Sequence, residues 1–394
     1  MVYPVYEYPL TSARAQDEIV IQICLSNARL PHKRPQKVHY SDLPDDVLTV
    51  LQTGGAIPAH PLALTEQRTL DEQRQKALTR YYLDAGSTGL AVGVHTTQFE
   101  IRDVGLFEPV LKLAAETADD WLPNSLAGQK AIVRISGLVG KTAQAVAEAQ
   151  LARGLGYHAG LLSLAAFKGA SEDELIDHCQ AVAAEIPLIG FYLQPAVGGI
   201  LLSPDFWQRF ATIDNVVAIK MAPFNRYRTL DVIRGVVAAR AEDRVTLYTG
   251  NDDHIVLDLL SPFLVKRDGE EVRVRIKGGL LGHWSVWVKS AVELLARVHS
   301  AVEKGEVDFD LLALDSRVTD CNAAFFDVAN DFSGVIAGCH EVLRRQGLLQ
   351  GIWCLNPEES LSPGQMAEID RVYADHADLA DDDFVAANLS RWLS

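Results

Sequence analysis

From residue 55 to residue 302, short apolar segments alternate with longer amphipathic ones, and the chain contains eight such repeats. Short apolar runs bounded by glycine or polar residues predict buried strands, and longer segments with helical periodicity predict helices. The predicted strands are Ala56–His60, Gly89–Val94, Ala131–Ser136, Gly160–Leu164, Pro187–Tyr192, Val216–Lys220, Val245–Tyr248 and Gly279–Gly282. Eight βα units predict an α/β fold, a closed (β/α)8 TIM barrel with its chemistry at the carboxyl ends of the strands.

Two segments fall outside the predicted barrel of residues 55–302. Residues 1–54 contain a proline-rich stretch and form an N-terminal extension, which we expect to brace the barrel floor or to act as a subunit arm. Residues 303–394 carry helical patterns without a strand pattern, so they predict a C-terminal helical region. Within the barrel, residues 263–276 alternate around an Asp-Gly turn signal and predict a hairpin or a lengthened strand before the last barrel strand.

The charge of the chain excludes several classes of partner. A formal net charge of −16 argues against nucleic acids and anionic membranes, which call for clustered Lys and Arg. The five cysteines are scattered without metal-binding spacing, which indicates reduced thiols. There is no basic start followed by an apolar run, and no segment approaches the roughly 18 apolar residues of a membrane span. We therefore expect a cytoplasmic protein, in which an anionic small molecule must find its positive charge locally.

Lys220 is the first candidate catalytic residue, because it closes the apolar run of residues 215–219. Burial disfavours the ammonium form, so a lysine in this position can lose its proton and attack a carbonyl to form a Schiff base. The alternative is a lysine whose stem lines the strand end while its amine reaches water. Alternation in the preceding strand puts Tyr192 on the face of Leu188 and Gly190, and we expect this face to point inward, next to Lys220. A phenol beside the amine could shuttle protons.

Three segments surround these residues: Tyr192-Leu193-Gln194-Pro195-Ala196-Val197-Gly198-Gly199, Leu202-Ser203-Pro204 and Asn215-Val216-Val217-Ala218-Ile219-Lys220. They resemble the dihydrodipicolinate synthase / N-acetylneuraminate lyase family of the class I aldolase superfamily. Thr249-Gly250-Asn251-Asp252-Asp253 is similar to the serine-glycine-aspartate-aspartate segment of the family. The resemblance implies a (β/α)8 barrel with a C-terminal helical region, Lys220 as the Schiff-base residue, Tyr192 as the proton shuttle, and a homodimer or homotetramer.

The departures from the family pattern indicate a divergent member nearer the lyase branch. Val197 stands where the synthases have an arginine that holds a carboxylate. The resemblance to the lyases implies that hydroxyls and backbone amides after the second strand bind this carboxylate, with Thr96 and Thr97 as candidates. The matched motifs add Gly198 and Asn251 to the substrate-binding candidates.

Two histidines end adjacent predicted strands at the expected catalytic mouth, His60 on the first and His95 on the second. An imidazole can titrate near neutral pH, so we expect both to supply acid-base or hydrogen-bonding function to the distal part of the substrate. The alternative is that both serve only in packing. No His-x-His or Cys-x-x-Cys spacing supports a metal site. No cofactor is implied.

The sequence thus predicts a Schiff-base class I lyase or aldolase that breaks or forms a carbon–carbon bond in a 2-oxo acid or related carbonyl compound. A Schiff-base dehydratase or hydratase acting on a sugar acid would use the same imine, and the residues leave both open. A third hypothesis is a catalytically silent barrel that binds a ligand. The presence of both Lys220 and Tyr192 speaks against it.

Overall fold

The structure, a computed structural model, describes residues 37–394, and residues 1–36 of the predicted N-terminal extension lie outside this range. The strands are β1 Ala56–Pro58, β2 Gly89–Val92, β3 Val133–Leu138, β4 Ala159–Leu162, β5 Leu188–Leu193, β6 Val216–Ala222, β7 Thr246–Thr249, β8 Pro262–Arg267 and β9 Glu270–Leu281. The helices are α1 Asp45–Thr53, α2 Glu72–Ala85, α3 Phe107–Trp121, α4 Thr142–Gly154, α5 Glu172–Ala183, α6 Pro204–Thr212, α7 Arg226–Ala238, α8 Ile255–Leu260, α9 Val288–Lys304, α10 Phe309–Phe325, α11 Val335–Arg345, α12 Gln365–Asp375 and α13 Asp382–Trp392.

Eight parallel strands form the barrel, in the spatial order β1-β9-β7-β6-β5-β4-β3-β2. A parallel bridge between Ala59 and Ala91 joins β1 to β2 and completes the ring. The strands are rich in β-branched and aliphatic residues and are buried on both faces, as expected of parallel strands with helices outside and packed side chains within. The predicted (β/α)8 TIM barrel is confirmed.

The two faces of the strands build separate apolar layers. Inward-facing residues such as Ile135, Ile189 and Val217 fill the barrel interior. Outward-facing residues such as Val216 and Ile219 pack against the helices in a second, larger cluster. Which layer a side chain joins therefore decides whether it can reach the centre of the barrel.

The predicted irregularity before the last barrel strand is an antiparallel hairpin of β8 and β9. Asp268 and Gly269 connect the two strands, and both have positive φ, 53° and 87°, as a two-residue hairpin turn requires. The end of β9 then pairs with β1, so β9 is both the second strand of the hairpin and the eighth strand of the barrel. Both forms that the sequence suggested are present.

Helix α1 lies at the floor of the barrel. Its apolar residues Val47 and Leu51 belong to the same buried cluster as the barrel interior. The Tyr248 hydroxyl donates a hydrogen bond of 2.7 Å to the carbonyl oxygen of Leu51, which ties this helix to β7.

Helices α10 to α13 make up the C-terminal helical region, and the segment between α10 and α11 brings Phe326 and Phe332 to the carboxyl ends of the barrel strands. At the far end of this region, Trp392 is fully buried, and its indole Nε1 donates to Asp84 of α2 at 2.7 Å. No helix among residues 37–394 has the length and apolar character needed to cross a membrane.

The close contact between α6 and α7, which flank β6, gives a prediction about stability. A Cβ added to Gly235 would lie 2.5 Å from Cβ of Trp207 and 2.8 Å from the backbone nitrogen of Gln208. We expect Gly235→Ala to lower the free energy of unfolding by about 1–3 kcal/mol through overpacking, despite the better helix propensity of alanine. Urea denaturation measures the change.

Gly154→Ala is the matched control, because Gly154 ends α4 and an added Cβ would meet nothing within 4 Å. This variant should be as stable as the wild type or more stable. Equal stabilities of the two variants would contradict the packing described for α6 and α7.

Candidate active site

Lys220 lies near the carboxyl end of β6 with its side chain on the inner face of the barrel. The strand forms because Val216, Val217 and Ile219 are β-branched and fit a sheet that is buried on both faces. Only 9% of the surface of Lys220 is exposed. Burial lowers the pKa of its amine, and the charge of Asp252 opposes this shift without cancelling it. The amine therefore reaches its neutral, nucleophilic form at a lower pH than an exposed lysine does.

A cavity opens around this amine at the carboxyl ends of the strands. Its polar lining consists of His95, Thr96, Gln194, Lys220 and Asp252. Its apolar lining includes Ala59, Val94, Leu161, Phe191, Leu193, Val197, Ala222, Phe224, Phe326, Phe332 and Val335. Among these residues Lys220 alone carries an amine or a guanidinium group. Any negative charge on a ligand in this cavity would thus face one basic side chain.

Phe191, and not Tyr192, is the aromatic neighbour of Lys220. In the register of β5 and β6, Phe191 pairs with Lys220 and Tyr192 pairs with Met221. The Nζ atom of Lys220 lies 4.4 Å from the ring centroid of Phe191, within the range of a cation–π interaction. A phenylalanine ring carries no exchangeable proton, so this neighbour stabilises charge but cannot transfer a proton.

The expectation that Tyr192 points inward is wrong. Tyr192 is fully buried in the outer layer, 5.1 Å from the ring of Trp207, and its hydroxyl is bonded to the backbone of Leu202. The face that Tyr192 shares with Gly190 is the one that meets α6, where a Cβ on Gly190 would lie 2.6 Å from the ring of Phe210. The lack of a side chain at Gly190 makes room for α6, and Tyr192 consequently packs against the helix.

Asp252 is the carboxylate whose charge acts on the pKa of Lys220. It follows β7, is 5% exposed, and accepts a hydrogen bond of 3.3 Å from the backbone nitrogen of His283. Burial raises the pKa of Asp252, while the positive charge of Lys220 opposes the rise. A carboxyl group whose pKa is raised toward neutrality can both accept and donate a proton at physiological pH.

Two of the other sequence candidates also line the cavity. Burial lowers the pKa of His95 to about 4, and the charge of Lys220 contributes in the same direction, so the imidazole is neutral at pH 7. The hydroxyl of Thr96 donates a hydrogen bond of 2.7 Å to the carbonyl oxygen of Ala59 and keeps its acceptor capacity. Lys220, His95 and Thr96 thus meet in one cavity, and their roles remain predictions.

His60 and Thr97 do not line the cavity, contrary to expectation. The imidazole of His60 is completely buried between β1 and α2, where Nε2 lies 2.9 Å from the hydroxyl of Thr79 and Nδ1 lies 2.8 Å from the carbonyl oxygen of Pro61. The hydroxyl of Thr97 donates to the carbonyl oxygen of His60 at 2.6 Å and accepts from the backbone nitrogen of Gly93 at 3.0 Å. Both side chains are occupied in fixing the loop after β2, so they cannot turn toward a substrate.

Asn251 and Gly198 also lie outside the cavity lining. The side-chain oxygen of Asn251 accepts a hydrogen bond of 3.0 Å from the backbone nitrogen of Phe224, and its amide donates to Asp258 at 2.9 Å. Asn251 therefore holds the loop that carries Phe224, and does not itself face the cavity. Gly198 ends the turn after β5 with a φ of 93°, and it is exposed. Its neighbour Val197 lines the cavity in its place.

Comparisons with known proteins agree with this architecture. A profile of the Dihydrodipicolinate synthetase family matches residues 52–262, more than half of the chain. The chain belongs to this family.

Its similarity to individual family members is distant. Over 184 residues it is 26% identical to the 4-hydroxy-tetrahydrodipicolinate synthase of Halorhodospira halophila, an alignment that covers 46% of this chain and 57% of the synthase. It is 22% identical over 306 residues to N-acetylneuraminate lyase 2 of Escherichia coli, covering 77% and 88% of the two chains. The structure of the Acinetobacter baumannii dihydrodipicolinate synthase complexed with pyruvate superimposes with a TM-score of 0.66 at 20% identity, covering 82% of this chain and 98% of the other.

Sequence reasoning missed Phe191 and the cavity-lining aromatic residues of this family member. The signal for Phe191 was present in part, because the sequence contains Gly190 in this strand and aromatic residues in the helix that follows, and the structure packs Gly190 against Phe210 on the outer face of β5. An irregularity in the pairing of β5 and β6 near Leu188 and Ile189 shifts the register, and no sequence pattern reveals it. Phe326 and Phe332 lie more than 100 positions after Lys220, so only the folded chain brings them to the cavity.

The burial of His60 predicts an acid-sensitive stability. Burial lowers the pKa of His60 from 6.5 to about 4, so the unfolded chain binds this proton first as the pH falls. The corresponding stabilisation is complete above pH 6.5 and is lost between pH 6.5 and pH 4, by up to about 1.4 kcal/mol for each pH unit. We expect His60→Gln to lose less free energy of unfolding between pH 7 and pH 5 than the wild type does, as measured by urea denaturation.

A structural role for His60 also predicts that His60→Gln leaves the reactivity of Lys220 unchanged at pH 7. A variant with the pH dependence of the wild type but an altered Lys220 amine would contradict the placement of His60 outside the cavity.

Proposed function

We propose that the protein is a class I lyase or aldolase that binds a 2-oxo acid or a related carbonyl compound as a Schiff base on Lys220. The observation that carries the proposal is the buried amine of Lys220, whose pKa is lowered inside a cavity at the carboxyl end of β6. Membership of a family whose relatives are named as synthases and lyases supports it.

The proposed reaction begins with attack of the neutral Lys220 amine on the carbonyl carbon and loss of water. The resulting iminium withdraws electrons, so that a carbon–carbon bond next to it can break or form. Phe191 faces the nitrogen and favours its positive charge. To donate to the carboxylate, the hydroxyl of Thr96 would exchange its hydrogen bond to the carbonyl oxygen of Ala59 for one to the substrate, beside nearby backbone amides, since Val197 offers no charge to pair with it.

Proton transfer in this mechanism is assigned to Asp252, and His95 would form a hydrogen bond with the substrate. A raised pKa suits Asp252 to both directions of transfer. Tyr192 lies in the outer layer with its hydroxyl bonded to Leu202, so the phenol is not proposed for this step. A dehydratase or hydratase would share the imine and Asp252 and would differ in its products, which retain the carbon skeleton.

We also propose that the protein acts in the cytoplasm as a homodimer or homotetramer. An exposed apolar surface at the start of α10 supports self-association, because Phe309 is 84% exposed and Val307 is 43% exposed. Sedimentation at micromolar concentrations that gave only the mass of one chain would refute the assembly.

The first functional prediction is covalent. Borohydride in the presence of pyruvate should reduce an imine onto Lys220, and peptide mapping by mass spectrometry should find the adduct there. Lys220→Arg should abolish both the adduct and turnover while the fold is kept. Lys168→Arg, at an exposed lysine after β4, is the control and should behave as the wild type. An adduct on another lysine, or none with any compound that is turned over, would remove the mechanism.

The second functional prediction separates imine formation from proton transfer. The charge of Asp252 raises the pKa of Lys220, so Asp252→Asn should lower this pKa further and shift imine trapping to lower pH. Turnover should nevertheless fall by about 10²-fold or more, because the proton carrier is lost. Trapping rates and kcat from about pH 5.5 to about pH 9.5 provide the measurement, because this range includes both the pKa of Asp252, about 7, and that of Lys220, about 8.

Asp253→Asn is the matched control, since Asp253 is the adjacent carboxylate but is exposed. It should keep nearly all of the turnover. Wild-type turnover in Asp252→Asn would show that another group moves the proton.

A further inference from the structure

The cavity around Lys220 has two chemically different parts. His95, Thr96 and Asp252 supply polar groups from the ends of β2 and β7, and the charge of Lys220 acts on the pKa of both His95 and Asp252. These groups suit the carbonyl and carboxylate of a 2-oxo acid. This inference rests on the proposed Schiff-base function and concerns the rest of the substrate.

The other part of the cavity is aromatic. Phe224 follows β6, while Phe326 and Phe332 come from the segment between α10 and α11. The rings of Phe224 and Phe332 lie 5.9 Å apart at 70°, an edge-to-face contact. The ring of Phe326 lies against Gly282, where a Cβ would come within 2.7 Å of it. Val335 adds another apolar side chain.

Backbone conformation and hydrogen bonds hold these rings in place. Phe224 and Phe332 both have positive φ, 48° and 66°, a region that bulky residues adopt only when their surroundings impose it. The side chain of Asn251 binds the backbone nitrogen of Phe224, and the backbone nitrogen of Phe332 donates to the carbonyl oxygen of Asp327 at 3.0 Å. The side chain of Asp327 in turn accepts from the backbone nitrogen of Gly334 at 3.0 Å. The backbone around Phe224 and Phe332 is therefore held in a defined conformation.

Charge and polarity narrow the substrate class further. Lys220 is the only amine or guanidinium among the lining residues, so a second anionic group would have no cationic partner. Outside the polar part, Gln194 is the remaining polar side chain in the lining. A tail with several hydroxyl groups would lose its hydration against phenylalanine rings without gaining hydrogen bonds, whereas an aromatic group would pack edge to face with them.

We infer that the substrate is a 2-oxo acid whose distal group is aromatic, and that cleavage releases pyruvate and an aromatic aldehyde. With 4-hydroxy-2-oxo-4-phenylbutanoate, Lys220 would condense at C2 with loss of water. Asp252 would take the proton of the C4 hydroxyl as the C3–C4 bond breaks. The electron pair of this bond would pass toward the iminium nitrogen and form an enamine, while C4 leaves with the phenyl group as benzaldehyde. Return of the proton to C3 and hydrolysis of the imine by water would release pyruvate.

The test compares this compound with the aldol adduct of pyruvate and glyceraldehyde, which has a polyhydroxylated tail. Pyruvate release from the aromatic adduct should have the higher kcat/KM, by about tenfold or more. Phe332→Ala and Phe224→Ala should each lower this value for the aromatic adduct by a similar factor. Imine trapping with pyruvate, which has no distal group, should fall by a smaller factor than aromatic cleavage in both variants, because the ring over the Lys220 amine is that of Phe191.

Leu264→Ala is the control, at an exposed apolar residue of β8 that does not line the cavity. It should leave both activities unchanged. Preference for the polyhydroxylated adduct, or aromatic cleavage that is insensitive to both phenylalanine changes, would overturn the aromatic assignment while pyruvate trapping still supports the Schiff base. Absence of trapping with pyruvate and with both adducts would overturn the Schiff-base function itself, and this assignment with it.

Discussion

The burial of one amine, that of Lys220, is the constraint on which the rest of the candidate site depends. Removing an ammonium group from water costs hydration free energy on the order of several kcal/mol, and this cost shifts the amine toward its neutral form. Contact with the face of Phe191 and the charge of Asp252 offset a part of this cost. The balance leaves an amine that is reactive and also able to become an iminium cation.

The barrel makes this burial possible by close packing around the lysine stem. A Cβ on Gly250 would lie 2.6 Å from Cε of Lys220 and 2.9 Å from Cβ of Ala222, so the absence of a side chain at this position leaves room for the stem. Helix α1 packs Leu51 into the opposite end of the interior. The C-terminal helical region contributes Phe332 to the cavity. Elements far apart in the sequence thus enclose a single amine.

The sequence allowed the barrel and its central lysine to be predicted, because both rest on strong local signals. Eight alternations of a short apolar segment with a longer amphipathic one define the βα units, and Lys220 is a lone charge in an apolar strand. The direction of Tyr192 could not be predicted in the same way, since β5 is apolar on both faces and an irregularity shifts its register. His60 was misplaced because a strand-end position does not show that the ring is already bonded to Thr79.

A crystal structure of the protein after borohydride reduction with pyruvate would test the central claim most directly. Our account predicts continuous density from Nζ of Lys220 to the pyruvate carbon, with Asp252 and Phe191 beside the adduct and the hydroxyl of Tyr192 bonded to Leu202 in the outer layer. An adduct on a different lysine, or a Tyr192 hydroxyl in contact with the adduct, would contradict it.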